Sequence, residues 1–92
     1  VSPKTLEGFN GFYNQTMVDG TLNLKTKELI ALGISVAIHC ENCIWLHTKG
    51  AMKAGANSEE ILEAAQVGVI MGGGPAFTHL PLLQKIIDQL TE

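Results

Sequence analysis

The chain has 92 residues, 46% of them hydrophobic and only 16% charged, with a formal net charge of −3 at pH 7. That length accommodates one domain, residues 1–92, built on a single core, and it excludes a multidomain or two-lobed enzyme. Average globular chains carry about 25% charged residues, so charge is too scarce here to cover a lone subunit, and part of the apolar surface is expected to meet another copy.

The positive charges, Lys4, Lys25, Lys27, Lys49, Lys53 and Lys85, are scattered and form no stripe for nucleic acid to follow. The longest apolar run, Leu29 to Ile38, is roughly half of a bilayer span and reads as buried core. No stretch reads as a secretory signal. A close cysteine pair without one points to a reducing, cytoplasmic setting, where such pairs serve redox or metal chemistry more often than structural bridging.

Apolar spacing is helical throughout, and strand signals are missing. Ser2 before Pro3 starts a first helix with Leu6, Phe9, Tyr13 and Met17 on one face, and "VDGTLN" ends it. A second helix runs from Leu24 to about Ile38. A third begins near Cys40 or Glu41 and stops at Gly55, placing Cys40, Cys43, His47, Ala51 and Ala54 along one stripe. Asn57 with Glu60 forms a capping box for a fourth helix, which carries Ile61, Leu62, Ala65 and Val69 and ends at the glycines 72 to 74. Pro75 opens a fifth, with Phe77, Leu80, Leu83, Ile87 and Leu90 at intervals of three or four. The expected fold class is all-α: a compact domain of about five helices with short connections.

Reactive side chains crowd together only in "HCENCIWLH", residues 39 to 47. Cys40 and Cys43 fall at the amino end of the third helix, where unpaired N–H groups and the helix dipole favour a thiolate. His47 follows Cys43 by one turn on the same face, within reach of a proton exchange with that sulfur, directly or through one water. A sulfenic acid on either cysteine would find the other close enough to form a disulfide. The dipole favours Cys40 as the thiolate and the histidine favours Cys43, so these residues alone leave the order of attack open.

Glu28 is the candidate carboxylate for orienting the histidine, because an unpaired charge opening the apolar run of the second helix would be costly. On one continuous helix Glu28 and Cys40 would lie about 18 Å apart, out of reach of each other. A corner near His39 instead puts Glu28 about 16 Å back along one helix and His47 about 12 Å along the next, a mismatch that two long side chains span. Glu28 with His47 is therefore the expected pair. Taken alone, Glu28 also reads as a solvated first-turn residue, His79 as an exposed helix residue or a member of the pocket, and Ile44 and Trp45 as packing. Zinc is the rival for the cysteines, since C-x-x-C-x-x-x-H offers three ligands and His39 or His79 a fourth. The "GGG" run has no strand before it and no Lys-Ser/Thr after it, and reads as a tight turn rather than a phosphate cradle.

The arrangement Glu28, Cys40, Cys43, His47, or E-x11-C-x-x-C-x-x-x-H, resembles the core motif of the AhpD-like alkylhydroperoxidases in the carboxymuconolactone decarboxylase superfamily. The likeness runs from about Leu24 to the end, through "KTKELIALGISVAIHCENCIWLH" and "GGGPAFTHL". It implies an all-α fold that assembles as homo-oligomers, hexamers in preference to trimers. It also implies a thiol-dependent peroxidase or disulfide oxidoreductase acting on hydroperoxides or small disulfides and renewed by a partner disulfide reductase. The redox-active cysteine pair would take the place of a cofactor, with no metal. On that resemblance Cys43 attacks peroxide, Cys40 resolves, and His47 with Glu28 relays the proton. Two departures stand out: Asn42 occupies the place between the cysteines where peroxidase members carry a histidine, and the chain is short, as in the hexamer-forming branch. The alternatives are a cofactor-free carboxymuconolactone decarboxylase-like lyase using His47 and Glu28, and a non-catalytic helical assembly module.

Overall fold

A computed structural model describes residues 1–92 and contains helices but no strand. The order is α1 Pro3–Thr16, α2 Leu24–Ala37, α3 Glu41–Lys53, α4 Ser58–Gly72, α5 Gly74–Phe77 and α6 Leu80–Leu90. None of these helices is long and apolar enough to cross a membrane.

The helix starts follow from their caps. Ser2 Oγ accepts the Thr5 N–H at 3.1 Å and Asn23 Oδ1 accepts the Thr26 N–H at 2.8 Å, each satisfying an amide that the first turn leaves without a partner. At α4 the capping box is complete: the Glu60 N–H donates to Asn57 Oδ1 at 2.8 Å and the Asn57 N–H to Glu60 Oε1 at 3.0 Å. The other Glu60 oxygen meets Lys25 Nζ at 2.7 Å, joining α4 to α2. The Lys25 hydrogen bond, helped by the Asn57 amide, holds the Glu60 carboxyl below its ordinary range.

The expected fifth helix is present but interrupted. Thr78 and His79 separate the single turn α5 from α6, and Pro81 in the first turn of α6 has no N–H to give the Phe77 carbonyl.

α2 is the central helix, with α3 packed along one side and α4 along another, and α6 closing on α3. Leu32 and Val36 of α2 meet Ile44 and Ala51 of α3, Ile61 and Ala65 of α4, and Leu83 and Ile86 of α6 in one sealed cluster. Full burial of each larger aliphatic side chain contributes about 1.5–3 kcal/mol. The α2–α4 crossing is close because both helices carry glycine there: a Cβ on Gly33 would sit 2.9 Å from the Ala64 carbonyl oxygen, and one on Gly68 would overlap the Gly33 carbonyl.

The apolar face of α1 lies outside the core. It has no buried residue; Leu6, Phe9 and Phe12 face solvent, and only Tyr13 and Met17 are half-buried. Its carboxyl end is fixed by Lys27 Nζ, which donates to the Thr16 carbonyl at 2.7 Å, and by Asp19 Oδ1, which accepts the Leu24 N–H at 2.7 Å.

Candidate active site

The corner between α2 and α3 creates the site. α2 closes with the Cys40 N–H donating to the Ser35 carbonyl at 3.0 Å and the His39 N–H to Val36 at 3.2 Å. His39 is left-handed, with φ of 61°, at the place where such a helix end usually carries glycine. Holding a side-chain-bearing residue there costs roughly 1–2 kcal/mol. Its ring stacks on His79, with centroids 5.4 Å apart and planes within 17°, while His79 Nδ1–H donates to the Pro75 carbonyl at 2.9 Å. His79 is thus a half-buried companion of the corner.

Beyond the corner Cys40 is the N-cap of α3, and its Sγ accepts the Cys43 N–H at 3.2 Å. Cys40 and Cys43 are joined by a disulfide, with Cα atoms 5.2 Å apart, and both are half-buried. Ile44 next to them is sealed in the core, whereas Trp45 is 38% exposed. No group of three or more histidine, cysteine or acidic side chains is gathered to hold a metal ion.

The fold-back sets α3 along α2 and brings His47 to Glu28. The His47 Nδ1–H donates to Glu28 Oε1 at 2.9 Å, with the side chains 13% and 9% exposed. A bond from Nδ1 to a carboxylate leaves Nε2 with its lone pair free, the form of the ring that can take a proton from a thiol. His47 lies one turn beyond Cys43 on the cysteines' face of α3.

Two further residues lie within the influence of Glu28, and the local sequence marks neither as part of the site. Gly50 is the first: a methyl group on its Cα would overlap Glu28 Oε2. The carboxylate therefore lies directly against the α3 backbone, one oxygen toward His47 and the other over Gly50. A glycine inside a helical pattern was the available signal, since it weakens a helix unless something approaches closely. Tyr13 is the second. Burial, and then the negative charge of Glu28, push its phenol above the ordinary value of 10.0. Nothing in the local sequence ties a residue of α1 to Glu28.

Tyr13 is the only tyrosine, so its ionisation is readable by ultraviolet absorbance. The midpoint is expected above 10.0 in the wild type and lower in Glu28→Gln, where burial acts without the carboxylate charge. For a raised pKa the neutral phenol is the form favoured by folding, so stability is constant below the unfolded value and falls as pH climbs past it. An unchanged midpoint in Glu28→Gln would place Tyr13 beyond the influence of Glu28.

A family model described as the carboxymuconolactone decarboxylase family matches residues 3–82. The chain belongs to the carboxymuconolactone decarboxylase family. Among curated relatives, an uncharacterised protein of the cox locus of Paracoccus denitrificans is 33% identical over 84 residues, covering 91% of this chain and 76% of the relative. An uncharacterised Methanocaldococcus jannaschii protein is 42% identical over 80 residues, covering 84% and 73%. Among solved structures, a carboxymuconolactone decarboxylase family protein of Legionella pneumophila in its apo form superposes with a TM-score of 0.90 at 34% identity, covering 98% of this chain and 80% of that one. A member of the same family from Thermotoga maritima, for which a role in an antioxidative response has been suggested, gives a TM-score of 0.92 at 28% identity over 99% of this chain and 94% of its own. The all-helical architecture is thus the fold of the carboxymuconolactone decarboxylase family.

Proposed function

We propose that this carboxymuconolactone decarboxylase family member is a thiol-dependent peroxidase of the AhpD-like kind that reduces hydroperoxides, or small disulfides, through Cys43 and Cys40. The observation that carries the reading is the Glu28–His47 hydrogen bond of 2.9 Å, one helical turn from a cysteine pair at the amino end of α3. The antioxidative role suggested for the Thermotoga relative points the same way.

In the reduced protein, Cys43 passes its proton to His47 Nε2 and the thiolate attacks the terminal peroxide oxygen. The O–O bond breaks, the leaving alkoxide takes the proton back and departs as an alcohol, and Cys43 is left as a sulfenic acid. Glu28 holds the ring in the receptive tautomer and stabilises the imidazolium between the two proton transfers. Cys40, whose sulfur caps the Cys43 amide, then attacks the Cys43 sulfur; the S–O bond breaks, and the thiol proton of Cys40 passes to the departing hydroxide, which leaves as water. Two thiols and one hydroperoxide thus become one disulfide, one alcohol and one water. A disulfide reductase returns two electrons and two protons. No metal or bound cofactor enters the cycle. The working form is a homo-oligomer, a hexamer in preference to a trimer, in the cytoplasm.

The order of attack is tested by treating each reduced single-serine variant with hydroperoxide in the presence of a sulfenic-acid-specific nucleophile. Cys40→Ser is expected to yield the adduct on Cys43, while Cys43→Ser yields none on Cys40. An adduct on Cys40 alone would reverse the two roles, and none in either variant would remove the peroxidase reading. A lyase built on His47 and Glu28 is the rival that the family name supports, and it would retain activity on a carboxylactone with both cysteines replaced by serine.

A further inference from the structure

An unfavourable backbone conformation sits one residue ahead of the cysteine pair. α2 ends in a motif whose two closing bonds, His39 N–H to the Val36 carbonyl and Cys40 N–H to the Ser35 carbonyl, require a left-handed residue, normally glycine. Here that residue is His39, with φ of 61°, the only residue other than glycine to adopt a positive φ. A residue with a side chain keeps such a conformation only where its surroundings hold it. The reversal it makes delivers Cys40 to the N-cap of α3, where Sγ accepts the Cys43 N–H at 3.2 Å. Relaxing His39 to a negative φ would break the Cys40–Ser35 bond and swing Cys40 off that cap.

The group that holds His39 comes from the far end of the chain. Its ring lies against the ring of His79, with 5.4 Å between centroids and 17° between planes, within the range of a favourable ring pair. His79 is itself fixed: Nδ1–H donates to the Pro75 carbonyl at 2.9 Å and the backbone N–H to the Ala76 carbonyl at 3.0 Å. The turn that carries it is seated on the end of α2 by Gly72, where a Cβ would lie 2.7 Å from the Ala76 Cβ and 2.8 Å from the Ala37 carbonyl oxygen. Ala76 is fully buried there.

We infer that His79 is a positioning residue for the cysteine pair: its ring holds His39 left-handed, and the corner so held keeps the Cys40 sulfur beside Cys43 when both are reduced. In the oxidised protein the disulfide itself ties Cys40 to Cys43. The ring pair therefore acts in the dithiol form, where nothing covalent fixes the corner, and its loss frees that form and favours it. The part His79 plays in turnover rests on the peroxidase reading, through the resolving step. The pairing of the sulfurs is measured without peroxide, so either can fail alone.

The test is the equilibrium between disulfide and dithiol in dithiothreitol buffers, read on the full chain by trapping free thiols with an alkylating reagent. His79→Ala is expected to favour the dithiol about tenfold over the wild type, about 30 mV for a two-electron couple, with the helical circular dichroism retained. His79→Gln, which keeps a donor for the Pro75 carbonyl and lacks the ring, is expected to do the same. In His39→Gly the corner residue is left-handed without a side-chain clash, so adding His79→Ala there is expected to change the equilibrium by less than about twofold. A general loosening of the fold would shift both backgrounds alike. Equilibria that match the wild type in both His79 variants would overturn the inference, and so would an undiminished shift in the His39→Gly background.

Discussion

Replacing Cys43 by serine is expected to lower hydroperoxide turnover with a dithiol reductant by about a thousandfold or more, to the uncatalysed rate. A serine hydroxyl is neither appreciably ionised at neutral pH nor able to take up oxygen from a peroxide, so both the nucleophile and the sulfenic acid are lost. The change removes no core packing, since Cys43 is half-buried at the start of α3 and the sealed positions next to it belong to Ile44 and Thr48. The folded fraction is therefore expected to match the wild type. Cys40→Ser separates attack from resolution: it reacts once and then stalls, because the sulfur that would close the disulfide is gone. Undiminished turnover in Cys43→Ser would assign the reaction elsewhere.

Gly50→Ala is expected to destabilise the fold by about 3 kcal/mol and to slow turnover at least tenfold. The sign is the informative part. Inside an exposed helix, glycine to alanine stabilises by up to about 1 kcal/mol. At position 50 the new methyl group would occupy the space of Glu28 Oε2, so the carboxylate has to leave its bond to His47. With the Glu28 residue only 7% exposed, displacement leaves a charge without its partner in a place of low dielectric, a cost of about 3–5 kcal/mol that outweighs the helix gain. Glu28→Gln in the Gly50→Ala background is expected to recover part of the stability, because the displaced group is then neutral, and none of the activity. Thermal melts and turnover of the three proteins check both statements. A Gly50→Ala protein more stable than the wild type would show that Glu28 does not lie against α3.

Much of the fold was legible because helix ends are written in local chemistry. Ser2 with Pro3, the turn residues "VDGTLN", the Asn57–Glu60 box and the run of glycines from 72 to 74 each mark a boundary that the backbone follows. The corner at His39 was legible for a different reason: a buried carboxylate needs a partner, and only a reversal of the chain brings one to Glu28. Apolar spacing runs unbroken from Phe77 to Leu90, and the division between α5 and α6 is marked instead by Pro81, which has no N–H to give. The exposed face of α1 shows the limit of periodicity, which reports that Leu6, Phe9 and Tyr13 share a side and is silent on what covers it. Gly50 and Tyr13 are not legible locally, because the space beside Gly50 is taken by a carboxylate from α2 and the Tyr13 phenol feels the charge of a residue on another helix.

The most direct test is the rate at which the two thiols of the fully reduced protein disappear after mixing with one equivalent of hydroperoxide, compared between the wild type and Glu28→Gln. Both thiols of the wild type are expected to vanish together, with Cys40 and Cys43 recovered as one cross-linked peptide, and the rate in Glu28→Gln to fall by about a hundredfold. Thiols that persist beside unreacted hydroperoxide, or equal rates in the two proteins, would contradict a cysteine activated by a histidine that Glu28 holds in place.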